Sequence, residues 1–223
     1  MLGSIDVSAV RRYLRNIARC TIPASGRFRP HSVYNAATLG VRTEALDKME
    51  DHRYPIGKYQ SKSVLTAEER RGAIDRIAQI PARLAEAIAG LNSEQLDTPY
   101  RPDGWTVRQV VHHLPDSHMN AYVRFKLALT ENTPTIKPYD EALWAMLPDS
   151  RDTPTAVSLA LLRALHQRWV ILLQAMRTED FARQLIHPDR GIESLDSKLG
   201  EYAWHGQHHV AHITSLRERM GWR

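Results

Sequence analysis

The sequence predicts an all-α fold, a four-helix bundle with short additional helices, on three observations. Four long stretches repeat apolar residues near a 3.6-residue period. Two of them open on Thr-x-x-Glu/Gln capping boxes, Thr66–Glu69 and Thr106–Gln109. No segment alternates apolar and polar residues long enough to make a convincing strand. The 223 residues suffice for one domain to bury a core unaided by disulfides.

The first long helix is expected from Thr66 through Ile74, Ile77, Ala78, Leu84, Ile88 and Leu91, with Pro81 kinking it. The turn residues of 92–104 end it. The second starts at Thr106, shows one face in Val107, Val110, Val111 and Leu114, and runs on through Tyr122, Phe125 and Leu129. Pro115 should bend it. Residues 131–140, with Pro134 and Pro138, read as a loop, and 141–147 as one or two helical turns. The third long helix is expected to start at Thr153–Pro154, proline taking its favoured first-turn place, and to run through Val157, Leu161, Leu165, Trp169 and Leu173. Residues 178–190 hold a short helix and a turn. The last helix spans about Ser194 to Met220, stopped by Gly221.

Charge divides the chain. Residues 1–48 carry eight basic and three acidic side chains, which is the whole net charge of +5, so the remainder is formally neutral. That body offers no field to attract a polyanion, and nucleic acid is not an expected partner. Residues 1–48 form a basic N-terminal extension, readable as an arm or targeting segment with a short helix over Val7 to Arg19. The favoured expectation is an extraneous or disordered lead, with Met49 the natural beginning and 49–223 the bundle. The one cysteine, Cys20, permits no internal disulfide and fits a reducing, cytoplasmic setting. No stretch approaches the roughly 20 apolar residues of a membrane span, so no membrane partner is expected.

The chain has eleven histidines, and seven fall in two windows, 112–118 and 205–212, both on predicted long helices. Imidazole is the commonest protein ligand of transition metals, and two histidines four apart on a helix can face one ion. On a helical wheel His205 and His209 border the apolar arc of Tyr202, Val210, Ile213, Leu216 and Met220. His212 lies slightly farther out and His208 farther still. His113 borders the apolar face of its own helix, His112 points nearly opposite, and His118 falls inside. The expected site is therefore one divalent ion on His113, His205 and His209, with an open fourth position as in catalytic zinc sites. His112 and His208 are expected at the surface. His118 and His212 are expected as supporting partners, rim residues or substitutes for one of the three. The aromatics Trp105, Tyr122, Trp144, Trp169, Tyr202 and Trp204 are expected in the core or a pocket wall.

Several runs resemble one family: Gly104-Trp105-Thr106-Val107-Arg108-Gln109-Val110-Val111-His112-His113-Leu114 followed by Asp116-Ser117-His118-Met119-Asn120; Tyr54-Pro55-Ile56-Gly57; Pro138-Tyr139-Asp140-Glu141; and the end from Trp204-His205 through His208-His209 and Ala211-His212-Ile213-Thr214 to Met220-Gly221-Trp222. Together they resemble the YfiT branch of the DinB-like superfamily over about residues 54–222. The resemblance implies a DinB-type bundle, a homodimer, and one zinc or nickel ion on His113, His205 and His209. It also implies metal-dependent hydrolysis, or transfer of a low-molecular-weight thiol such as bacillithiol; mycothiol-dependent isomerases belong to the wider group. Pro115 departs from the alanine usual there, and the 48-residue lead has no counterpart.

Thiol transfer is the preferred expectation. A cation stabilises a thiolate, which attacks an electrophile in the bundle's mouth with no protein nucleophile, so the partners would be a small thiol and a small electrophile. The rival is hydrolysis by metal-activated water, for which Asp116 and Glu201 are the candidate bases. A non-catalytic metal-binding bundle for stress response is the third reading.

Overall fold

Residues 52–222 are described by the structure, a computed structural model. The expectations for residues 1–48, Cys20 and Met49 lie outside the described residues.

Four long helices dominate: α1 (Ala67–Ile88), α3 (Val107–Thr130), α6 (Thr155–Ala175) and α7 (Leu195–Met220). Short helices α2 (Ser93–Leu96), α4 (Glu141–Trp144) and α5 (Pro148–Asp152) fill the connections. Both capping boxes form. The Thr66 hydroxyl accepts from Glu69 N–H while the Glu69 carboxylate accepts from Thr66 N–H, and Thr106 with Gln109 repeats the pattern. Gly221 ends α7 in the left-handed conformation, φ 65°. Pro81 and Pro115 both sit inside helices that continue past them. The packed neighbours of these helices hold the chain helical where one hydrogen bond is missing. Pro154 stands at the N-cap of α6, one place before the expected first turn.

Two expectations need correcting. Residues 178–194 contain a 3-10 turn (Thr178–Ala182) and an antiparallel hairpin, β1 (Gln184–His187) with β2 (Gly191–Ser194). Four-residue strands are too short for a period-two signal. Ile186 also bonds through its backbone to Pro134 and Ile136, so the hairpin is held by the α3–α4 loop as well. The second correction concerns α6, which is long and apolar enough by composition to cross a membrane, although only a third of its most apolar window is buried. Leu162, Trp169 and Leu173 turn its apolar side into the bundle core.

α1 packs against α6 and α7, and α3 packs against the same two. α1 and α3 therefore lie on one diagonal and α6 and α7 on the other. Two buried ion pairs set the α7 end of this arrangement. Arg70 of α1 donates twice to Asp196 of α7, both at 2.7 Å. Lys198, 1 % exposed, is neutralised by Glu193 and Glu201. A buried lysine without carboxylates would not stay charged, so this pairing is obligatory.

Two apolar clusters fill the interior. One holds Ile74, Ile77, Phe125, Trp169, Leu199 and Tyr202. The other holds Ile80, Leu84, Val110, Leu114, Leu162 and Ile213. On each long helix the switch from one cluster to the other falls within a turn or two, and on α3, α6 and α7 that interval carries histidine: His118, His166, and His205 to His209.

Gly206 lets α7 approach α1 at this level. A Cβ there would lie 2.7 Å from both Cγ1 and Cδ1 of Ile80, a side chain with no exposed surface and no room to retreat. Gly206→Ala is expected to destabilise the fold by about 1–3 kcal/mol through overpacking, read as a lowered urea midpoint. An unchanged midpoint would mean that the two helices separate freely.

Candidate metal centre

His113 comes from the second turn of α3, and His205 and His209 come from consecutive turns of α7, where i, i+4 spacing stacks them on one face. One ring nitrogen from each lies within 4.8 Å of the other two. Nε2 of His113 and Nε2 of His205 face each other at 3.3 Å. Nitrogens at 2.0–2.1 Å from a tetrahedral zinc ion stand about 3.3 Å apart, so this spacing matches a shared cation. Among the described residues no carboxylate or thiol joins the group. Nδ1 of His209 is buried without a hydrogen-bond partner.

The three rings are suited to be neutral donors. Burial, and then the neighbouring imidazoles, hold His113 and His209 well below the ordinary imidazole range. His205 is lowered to about 4 by burial, against an opposing effect of Glu201. The three therefore present lone pairs at neutral pH, the form in which imidazole ligates. Trp105 packs over His113 with ring centres 4.7 Å apart, and more distantly over His209.

The group opens on a cavity of about 540 Å³ walled by Trp105, Trp204, Tyr54, Arg190 and Glu201. A second cavity of about 340 Å³ shares His205, Arg190 and Glu201 and adds Ser117, Arg124 and Tyr139. Glu201, one candidate base, thus faces both. Burial pushes its carboxyl up, but Lys198 and Arg190 outweigh burial and keep it below its ordinary value. Asp116, the other candidate, lines neither cavity. Burial first, and Asp149 second, raise it to about 6 on another side of α3.

His112 and His208 are not at the surface; they are 3 % and 7 % exposed. His112 does point away from the site, but that side of α3 packs on α5 and α6. It donates from Nε2 to the Thr153 carbonyl at 3.1 Å, and Nδ1 lies 2.7 Å from the Ser158 hydroxyl. His208 stacks on Trp204 at 4.3 Å and meets Tyr54, while His212 stacks on Tyr100 at 4.0 Å and donates to the Arg53 carbonyl. Residues 53–54, ahead of the bundle, supply part of this cover, which a helical wheel cannot include. His118 is fully buried behind His205, its Nε2 3.2 Å from Nδ1 of His205. His166 escaped the sequence reading altogether. Its one signal was its place in the stripe Leu162, His166, Trp169, all buried.

The sequence profile described as the DinB superfamily matches residues 76–213. A protein of Bacillus cereus (strain AH820) named "Putative metal-dependent hydrolase" is 56 % identical over 174 residues, which is 78 % of this chain and 100 % of that protein. A protein of the same name from Bacillus anthracis (strain A0248) matches to the same extent. Among solved structures, YfiT from Bacillus subtilis superposes with a TM-score of 0.76 at 50 % identity, covering 78 % of this chain and 99 % of that one. It is described as a probable metal-dependent hydrolase with an unusual four-helix bundle topology.

Because these histidines are harder to protonate in the folded chain than in the unfolded one, acid should unfold the metal-free protein. His166 falls from 6.5 to about 4, His208 to about 3 and His212 to about 4, burial being the main cause each time. The unfolded chain binds the extra protons first, so stability is intact above about pH 6.5 and is lost as pH falls toward 4. His166 alone accounts for about 3 kcal/mol of this. Urea midpoints measured from pH 7 to 4.5 should drop steeply below 6.5, and a flat profile would contradict the neutral layer.

Proposed function

The chain belongs to the DinB superfamily, and from that premise we propose that it is a metal-dependent enzyme holding one divalent ion, zinc or nickel, on His113, His205 and His209. The carrying observation is the convergence of three neutral imidazole nitrogens within 4.8 Å at the wall of an open cavity. The names of its relatives support metal dependence. The reaction we favour is transfer of a low-molecular-weight thiol, of the bacillithiol kind, onto a small electrophile. A divalent ion in the site supplies a positive centre that favours the ionised form of a thiol or of water near neutral pH.

The chain's own residues do the rest. Trp105, Trp204 and Tyr54 wall the cavity and limit water. Arg190, 2.9 Å from Glu201 and 3.5 Å from Glu193, is carried to the wall by the β1–β2 hairpin and places a cation beside an entering anionic group. The only cysteine, Cys20, precedes the region shared with the family, and the proposed reaction asks for no protein nucleophile. Hydrolysis is the second reading, favoured by the names of the relatives. There Glu201, kept anionic by Lys198 and Arg190, is the base on the cavity wall, and Asp116 is set aside by its position.

We propose a homodimer as the working state, supported by the exposed apolar run Val157, Leu161 and Ile171 on one side of α6. Sedimentation equilibrium should return twice the mass of the 25.5 kDa chain, and a monomer at micromolar concentration would reject it.

His113→Ala, His205→Ala and His209→Ala should each reduce bound metal to well below one equivalent, whereas His208→Ala should retain it; equal retention in all four would reject the ligand set. For the reaction, the metal-loaded chain would be incubated with a thiol panel and monochlorobimane. Conjugation that needs both metal and thiol is the expected result. Turnover of esters or amides without thiol would move the assignment to hydrolysis, and metal binding with neither activity would leave a binding bundle.

A further inference from the structure

Behind the proposed ligand His205 runs a line of hydrogen bonds that touches all four long helices. Nδ1 of His205 on α7 is 3.2 Å from Nε2 of His118 on α3. Nδ1 of His118 is 2.9 Å from Nε2 of His166 on α6. Nδ1 of His166 is 2.7 Å from the backbone carbonyl of Ile77 on α1. His118 is 0 % and His166 2 % exposed, so solvent does not offer these nitrogens other partners. Trp169 packs edge-on to both rings, at 5.8 and 5.9 Å, and restricts their tilt.

The Ile77 carbonyl is available for a reason written in the sequence. In an α-helix it would accept from the N–H four residues on, at position 81, and that residue is proline. Pro81 has no N–H to give, so the oxygen receives its bond from His166 instead.

Such a line has one direction. A carbonyl oxygen only accepts, so His166 carries its proton on Nδ1 and its Nε2 is a lone pair. His118 must then donate from Nδ1, which leaves its Nε2 as an acceptor. His205 must donate from Nδ1, which leaves its Nε2 bare on the side of His113 and His209. The alternative, a doubly protonated imidazole within the line, would bury a cation where, among the described residues, no carboxylate hydrogen-bonds to His118 or His166.

We propose that His118 and His166, anchored on the carbonyl freed by Pro81, are positioning residues that fix the proton of His205 on Nδ1 and so turn its Nε2 lone pair toward the cation. The role rests on the ligand set proposed above, but the proton placement can be read without any metal. Neither residue lines either cavity beside the site. A supporting partner on the far nitrogen of a ligating histidine fixes the ring's tautomer and orientation, and its loss costs roughly 10–100-fold in metal affinity.

The test uses the full chain labelled with ¹⁵N-histidine. In the metal-free protein at neutral pH, long-range ¹H–¹⁵N spectra should show His166, His118 and His205 each as the Nδ1–H tautomer. An Nε2–H or averaged signal for His205 would overturn the proposal. His166→Phe should release the constraint, giving tautomer mixtures at His118 and His205; unchanged spectra would count against it. Zinc affinity, measured by chelator competition, should fall roughly 10–100-fold in His118→Phe and recover largely in His118→Gln, whose amide oxygen can accept from His205. A Phe variant that binds as tightly as the parent removes the positioning role. If that variant does not fold, judged by circular dichroism, the parent spectra and the His166→Phe spectra decide. A parent with the expected tautomers that binds no zinc refutes the metal site and leaves the proton placement standing.

Discussion

A layer of uncharged imidazoles cuts through the middle of the bundle, and the arrangement of the helices depends on keeping its His205–His118–His166 line hydrogen-bonded. Apolar clusters lie on both sides of it. A buried polar group left unpaired costs about 1–3 kcal/mol, so sliding one helix along its axis would cost more than repacking of leucines. The line from Ile77 through His166 and His118 to His205 spends one group from each long helix. It therefore fixes the relative heights of all four, whereas an apolar core alone tolerates many alignments. Gly206 answers the same demand from the backbone side, letting α7 sit close enough to α1 for its histidines to stay level with the rest.

Much of this was legible in the sequence where the cause is local. The two capping boxes, the Gly221 stop and the long helices all follow from spacing within a few residues, and the structure has them. The convergence of His113, His205 and His209 was also within reach, because each borders the apolar arc of its helix. What failed depends on partners remote in sequence. His208 looked solvent-facing because the wheel knows nothing of Tyr54, and His112 because it assumes one buried face when α3 has two. Asp116 is close to His113 in sequence but lines neither cavity, and it feels the charge of Asp149 instead. The hairpin was too short to show its period. Pro81 was read only as a helix defect; that the defect exposes a carbonyl to His166, 89 residues away, requires the fold.

The same layer determines what a cation in the site would feel. Many metal-ligating histidines are backed by a carboxylate, which adds negative charge and makes the ring a stronger donor. Here the line behind His205 ends on a backbone carbonyl, which is neutral. Glu201 is an anion on the cavity wall, and its charge is matched by Lys198 and Arg190. Three neutral ligands, one of them backed by a neutral line, would leave most of a divalent ion's charge in place. A charge seated among buried rings is screened less than one in bulk water, so it would act strongly on whatever enters the open position. A donor that can lose a proton there gains the most, and a small thiol or water is such a donor. The feature that keeps the bundle in register, an interior layer of imidazoles that carries no carboxylate among the described residues, is thus the feature that would make a cation held by these three histidines strongly electrophilic.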